Sequence, residues 1–529
     1  MHSTRYPDFA PEHGLTRRGL IRGSLALGAL ALLSACGGTT ASAVTAQASN
    51  VTATTQSAAT TSSASSRATA ATTSSAAVTA APAPTATQAP TVTTSSVTSS
   101  TTTVVTNSVT SSTAAATSSA AGARSAISAY YLTTGNKEQD SLWPGFFAQF
   151  SAEQPSITVE ASGAPDMLQK LTTLIAGGTP PDWAWDDGQD VAPLGYKGAL
   201  LDLEPYLARD KVQTDAFWPG GWAMSTVRGK RLAVPVNIDP QMLFFNKSLF
   251  QAAGVSTPLD LQAAKSWDWQ HFRDAAVKLT KRPPGTTGAE PLADVYGFEL
   301  PISLPWSLPW FRTWGGEILN ADLTQPTLSS PGMLAAVEAF VGLSVQDRSA
   351  FPPGIPKAPS FIAMEQAGRE AMVWAWDSRV AIWRAVHYDW DVIGVVPTAT
   401  NGPQSLLGGN PAFLFAGAKN KDAAWTLSTW CITAAPNLQI GVGYGSVPSL
   451  RANLPTFKET LRKQGKPANL NAYDEALQVA QPTPSTPAFN DLQAAWGKAI
   501  TPVWLGQADP KTVLASLTTQ FTAALAKYA

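Results

Sequence analysis

Beyond residue 124, two apolar rhythms alternate along the chain. Runs with every second residue apolar read as strands, and runs with apolar residues three and four apart read as helices. Residues 128–132 form a strand by this rule. Phe146, Phe147 and Phe150 mark a helix face, and residues 155–160 form a second strand. Strand, helix, strand is the opening of a parallel sheet with helices packed on it. The next unit is the most sharply punctuated. Leu168, Leu171 and Ile175 recur at helical spacing, and Gly177-Gly178 stops the helix because glycine takes the left-handed C′ conformation without a Cβ clash. Pro180-Pro181 keeps the backbone extended. Residues 182–185 (Asp-Trp-Ala-Trp) read as a short strand, Asp186-Asp187-Gly188 as a turn, and a helix carrying Val191 and Leu194 ends near Gly198.

In α/β sheets ligands lie beyond the carboxyl ends of parallel strands. Trp185, Asp186 and Asp187 fall at that end. An aromatic plate beside fixed carboxylates suits a sugar, whose ring has an apolar face and a hydroxyl rim. Trp183 reads as core. For Trp185 both readings, plate and core, stand open, and the two aspartates also serve as turn formers.

Downstream the pattern continues with a turn and strand over 229–236 and a second strand through Leu243, Phe244 and Phe245. Asn237 and Asp239 form a turn between them. Trp269, Phe272 and Ala276 share a helix face behind Asp268, an N-cap candidate. Trp306, Trp310 and Trp314 recur every four residues, with Pro305 and Pro309 disturbing a regular helix. Residues 371–377 end in Trp376-Asp377, 391–397 read as a strand, and the chain closes with helices that carry Phe521, Leu525 and Tyr528 on one face.

Composition changes the picture at the N-terminus. Paired arginines (Arg17-Arg18) precede an apolar run over 23–33, too short to span a bilayer. Leu33-Ser34-Ala35-Cys36 then resembles a bacterial lipobox, which implies lipidation at Cys36 and loss of residues 1–35 as a signal peptide. The arginine pair resembles a twin-arginine export signal; the competing reading is a plain secretory signal. Residues 36–124 are rich in Thr, Ser and Ala, with Arg67 and Arg124 as their only charges. Such a segment buries too little apolar surface to offset its ordering entropy. It is expected to be a disordered tether, holding the domain about 50 Å from its anchor. The net charge of −1 gives no basic footprint for nucleic acid. Two cysteines, Cys36 and Cys431, and four histidines exclude a disulfide framework and argue against a Cys/His metal site. All 18 tryptophans lie beyond the tether, so stacking plates are plentiful.

KLTTLIAGGTPPD (170–182) and LGYKGALLDLEPYL (194–207) resemble the extracellular solute-binding proteins of sugar-type ABC importers, the family 1 solute-binding lipoproteins. The order of later motifs extends the resemblance over 128–529. Gly229-Lys230 leads to a strand ending at Pro235. Phe245-Asn246-Lys247 stands where the family has Tyr-Asn-Lys, a mild departure. Ala252-Ala253-Gly254-Val255, Trp267-Asp268-Trp269 and Ala371-Met372 follow. The resemblance implies a two-lobed, type II periplasmic-binding-protein-like α/β fold, with strands crossing between lobes beside a cleft. Lobe one takes about 126–238 and 397–445, and lobe two the rest of 125–529. The first crossing brings Asn237 and Asp239 to the cleft. The strand at 391–397 is the second crossing and 445–449 the third. Trp376 and Asp377 match the family's cleft aromatic and its neighbour. Gly408-Gly409-Asn410 matches a glycine-rich loop that brings Gly409 and Asn410 to the ligand, and Trp306 lines the cleft by position.

The implied function is capture of a carbohydrate by a monomer, lipid-anchored at the outer face of the cell membrane, and delivery to an ABC transporter permease. No catalytic residue, cofactor or metal is expected. The rival class is a secreted glycoside hydrolase, which needs two carboxylates at a set separation; Asp186, Asp187, Asp239, Glu299, Glu317 and Asp377 are its candidates. A third reading keeps the fold and changes the ligand to a polyamine, peptide or phosphorylated polyol.

Overall fold

The computed structural model describes residues 124–285, 293–351 and 358–528. The leader, Cys36 and the tether lie outside the described residues. The strands are β1 (Ser125–Leu132), β2 (Ile157–Ala164), β3 (Trp183–Trp185), β4 (Thr226–Val227), β5 (Lys230–Arg231), β6 (Ala233–Pro235), β7 (Asn237–Asn246) and β8 (Phe298–Glu299). They continue with β9 (Ala350–Phe351), β10 (Met372–Trp376), β11 (Trp390–Ile393), β12 (Ser405–Gly408), β13 (Pro411–Leu414), β14 (Val447–Pro448) and β15 (Ala480–Pro482).

The opening units form as the pattern predicts. The helix Met167–Ala176 starts at Asp166, whose side chain accepts from the Gln169 N–H. It stops at Gly177, and Gly178 turns the chain at φ +72°. Asp182, ahead of β3, is a structural stitch. One carboxylate oxygen accepts from the N–H groups of Lys419 and Asn420, the other from Ser128 N–H at 2.9 Å. These strands build the first sheet, in the order β2-β1-β3-β13-β6. β1 runs parallel to β2 and β3, while β13 runs antiparallel to β3 and β6.

The second sheet is organised on β7, which is buried along all of its length. β10, β11, β12 and β14 all pair antiparallel with it, and β15 extends β12. Successive side chains of a strand point to opposite faces. Leu243 and Phe245 accordingly join one core with Trp310, Trp374 and Trp496. Met242 and Phe244 join another with Trp383, Trp390 and Tyr473. Helices therefore cover both faces of this sheet. The first sheet has its own core, centred on Trp143, Phe146, Trp183, Trp185 and Phe413.

Three connections pass between the sheets. Val236 links β6 to β7. Gly409-Asn410 link β12 to β13. Gly445, at φ +90°, links the helix Ala434–Tyr444 to β14. The first and third crossings stand where the resemblance puts them. The second does not: the strand expected at 391–397 is β11, which stays in lobe two against β7, and the crossing comes after β12. Lobe one therefore regains the chain at Pro411 rather than at 397. Asn237 is not in a turn but opens β7.

The tryptophan-rich segment also differs from expectation. Leu304–Thr313 is a helix in spite of its prolines. Pro305 lies in the first turn, where its missing N–H has no helical partner to lose. Pro309 forfeits one hydrogen bond, but the helix around it is almost wholly buried, and packing holds it. Trp269 opens the helix Trp269–Leu279, and Asp268 is its N-cap, accepting from His271 N–H.

Candidate functional site

The crossings bring half of the expected site residues into one hydrogen-bonded chain: Trp185, Asp187, Asn237, Asp239 and Asn410. Asn237, at the start of β7, is its centre. Its Oδ1 accepts from Trp185 Nε1 at 3.2 Å. Its Nδ2 donates to Asp239 Oδ1 at 3.0 Å and to Asn410 Oδ1 at 3.1 Å. Asn410 Nδ2 in turn donates to Asp187 Oδ1 at 3.0 Å. The chain starts at the end of β3 in lobe one, reaches β7 in lobe two, and returns to lobe one through the second crossing. Gly409 makes the close approach possible. It sits at φ +151°, and a Cβ there would stand 2.5 Å from the Asn237 carbonyl oxygen. Its own carbonyl accepts from Gly188 N–H at 2.8 Å. Gly408 does the same for Trp376, whose ring edge lies where a Cβ would be, 2.8 Å from Cη2.

Asp377 follows β10 and is fully buried. Its Oδ2 accepts from Val447 N–H at 3.1 Å, which ties the third crossing to lobe two. Burial first, and the Asp239 charge second, push its carboxyl well above the ordinary range. Burial likewise raises Asp239 to about 6, against the lowering effect of the Ser446 hydroxyl and the Asn237 amide.

The structure corrects one assignment outright. Trp185 is not a plate open to ligand: it has no exposed surface. Its ring packs against Trp143 at 4.6 Å and edge-on against Tyr444 at 4.9 Å. β3 lies inside the sheet between β1 and β13 and all three of its residues are buried, so neither Trp183 nor Trp185 reaches a cleft. Asp186 is buried as well, and its N–H donates to the Pro411 carbonyl. Asp187, Trp306 and Trp376 keep partly exposed side chains. Trp306, in the first turn of its helix, is not part of the Asn237 chain; the guanidinium of Arg379 lies over its ring, 5.6 Å from the centroid.

Of the carboxylates offered for hydrolysis, Asp187 and Glu317 are partly exposed. Asp186, Asp239, Glu299 and Asp377 are buried. Glu317 receives Arg312 Nε at 2.7 Å. Glu299 belongs to a group that sequence spacing gives no way to assemble. One oxygen each from Glu299, Glu365 and Glu370 lies within 4.8 Å of the others, all three residues buried. Burial raises all three carboxyls, Glu299 to about 8, and repulsion by neighbouring carboxylates adds to the rise at Glu299 and Glu370. Arg379 was missed too, although it stands only two residues past Asp377.

Solved structures share this architecture. An ABC substrate-binding protein from Listeria monocytogenes in complex with cycloalternan aligns with TM-score 0.68 at 20% identity, over 76% of this chain and 99% of its own. The GacH receptor of Streptomyces glaucescens, solved unliganded and with acarbose, aligns with TM-score 0.64 at 20% identity, over 77% and 100%. A binding protein of Brucella abortus is 25% identical over 390 residues, 72% of this chain and 88% of the relative. The pattern of the bacterial extracellular solute-binding proteins matches residues 134–437. On that match, joined to the two sheets and their three crossings, the chain belongs to the bacterial extracellular solute-binding protein family.

Proposed function

We propose that this protein captures an oligosaccharide in a cleft beside the crossings and delivers it to the permease of an ABC importer, as a monomer anchored to the membrane by lipid on Cys36. The observation that carries the reading is the polar chain Asp187–Asn410–Asn237–Asp239, with the partly exposed rings of Trp306 and Trp376 available for stacking. Fixed acceptors and amide donors match sugar hydroxyls, and a ring face covers the apolar side of the sugar. Binding between two lobes favours their closure about the crossings. The ligands named for the similar solved proteins, cycloalternan and acarbose, are of this class.

The test is a thermal-shift screen of the purified protein with maltotriose, cycloalternan, acarbose and spermidine, with product analysis of each mixture. A ligand specific for the folded state, at one hundred times its Kd, adds about 2.7 kcal/mol. At least one oligosaccharide is expected to raise the melting temperature and to be recovered intact. A shift with spermidine alone supports the polyamine reading, and cleavage of the sugars supports the hydrolase. The anchor has a separate test. Cys36→Ala is expected to release the protein into the soluble fraction and to abolish labelling by a radioactive fatty acid; membrane-bound, labelled variant would refute that assignment.

A further inference from the structure

Arg379 lies in the turn Asp377–Arg379, directly after β10. One side of its guanidinium faces the Trp306 ring. The other side faces inward, where Nη1 stands 3.6 Å from Glu365 Oε1. The arginine side chain is 13% exposed and Glu365 not at all. Glu365 lies in the helix Phe361–Gln366. Its Oε2 accepts from Trp383 Nε1 at 2.6 Å, and its backbone carbonyl accepts from the Tyr388 hydroxyl at 2.7 Å. Glu299 comes in from β8, and Glu370 from just ahead of β10. Among the described residues, Arg379 is the cation that acts on all three glutamates.

Three carboxylates this close, with one guanidinium, do not all ionise: the second and third charges meet repulsion in a dry site. The donors decide which one does. Trp383 Nε1 donates to Glu365, and the Arg379 cation stands 3.6 Å from its other oxygen, so the first charge of the group falls on Glu365, even though burial raises that carboxyl too. That charge has an outward consequence. A lone arginine side chain at the rim of a cleft samples many rotamers and holds an indole only weakly. Held from behind by Glu365, it presents a fixed face to Trp306.

We propose that Arg379 is a positioning residue that sets the Trp306 ring for ligand, and that the charge of Glu365 holds Arg379 in place. That Trp306 meets a sugar rests on the function proposed above; that Glu365 and Arg379 fix its ring does not. The ring therefore reports the ionisation of the glutamate group with no ligand present.

The experiment uses the full chain labelled with 5-fluorotryptophan and read by fluorine NMR. The Trp306 resonance is the one lost in Trp306→Phe. In the parent it is expected to shift in a titration between about pH 5 and 9, across the range in which raised carboxyls ionise. Arg379→Lys keeps a cation and is expected to retain a smaller step. Arg379→Gln alone leaves a buried charge without its partner, so the decisive variant is Arg379→Gln with Glu365→Gln, which removes both charges. Its Trp306 resonance is expected to be insensitive to pH. A Trp306 resonance that does not titrate in the folded parent, or titrates identically in the double variant, overturns the proposal. Affinity for the sugar found in the thermal screen separates the two readings. Loss of binding on the order of tenfold in the double variant, with Arg379→Lys close to parent, supports positioning. Parent-like affinity in the double variant, with loss in Trp306→Phe, refutes it. Parent-like affinity in Trp306→Phe refutes the ligand contact and leaves the NMR result standing.

Discussion

Raising the pH from about 5 to about 8 should lower the melting temperature of this protein by roughly 5 °C or more. The cause is the glutamate group in lobe two. An unfolded glutamate ionises near 4.5, whereas Glu299 in the folded state is pushed up to about 8, and Glu365 and Glu370 are raised with it. Between those values the folded state binds more protons than the unfolded state. Stability is then fully present below about pH 4.5 and is lost as pH rises through the folded values. Asp239 and Asp377, raised by burial at the crossings, act in the same direction. Surface carboxylates held by cations, such as Asp210 beside Arg209 at about 2, have opposite sign, but their effect falls below pH 4 and leaves this window clear. Glu370→Gln isolates the lobe-two contribution. It keeps the volume, removes one acid and adds an amide donor, so it should raise the melting temperature at pH 8 and flatten the profile. A parent that grows more stable from pH 5 to 8, or a Glu370→Gln variant that melts lower than parent at pH 8, contradicts the account.

Trp185→Ala should unfold lobe one rather than merely weaken binding. Truncating a buried tryptophan costs about 3–5 kcal/mol, and Trp185 also contributes its Nε1 hydrogen bond to Asn237 and its two ring contacts. Trp183→Ala should cost about as much, since it is equally buried and loses the bond from Nε1 to Ser428. Trp376→Ala should behave differently. Its partly exposed ring lies over Gly408, so the variant should stay folded and bind sugar about tenfold more weakly, a loss of about 1.4 kcal/mol. Melting curves and calorimetric titration of the three variants decide this. A Trp185→Ala protein that melts like the parent removes the core assignment, and a folded Trp376→Ala protein with parent affinity removes that ring from the site.

The contrast between these tryptophans shows what the chain pattern carries and what it does not. The strand over 182–185 was legible, as were its glycine stop and the turn behind it, because each depends on local chemistry. Which way Trp185 faces was not. Alternation along a strand distinguishes two faces, but it names a cleft only when one face is open, and Tyr444, which packs on the Trp185 ring, comes from far along the chain. The second crossing failed for a related reason. Residues 391–397 are as apolar as a crossing strand, and only pairing with β7 shows that β11 stays in its lobe. Asn237, Asp239, Asn410 and Gly409 were placed by the order of family motifs, and they do meet. The glutamate group was illegible because its members come from a strand, a helix and a loop with no common spacing.

The division of lobe one into two segments has a consequence for how the chain is made. Trp183 hydrogen-bonds to Ser428 across 245 residues, and Asp182 reaches Lys419 across 237. As the polypeptide leaves the ribosome, β1, β2 and β3 emerge long before β13 and the helix Lys421–Cys431 that complete their core. Closing contacts at such separation is slow. Until then the tryptophans of β3 have Trp143 and Phe147 to pack on but lack Ser428 and Tyr444, so a chain that ends before Pro411 leaves their burial incomplete. Lobe one can be completed only after the segment of lobe two up to Gly408 has been made between its halves.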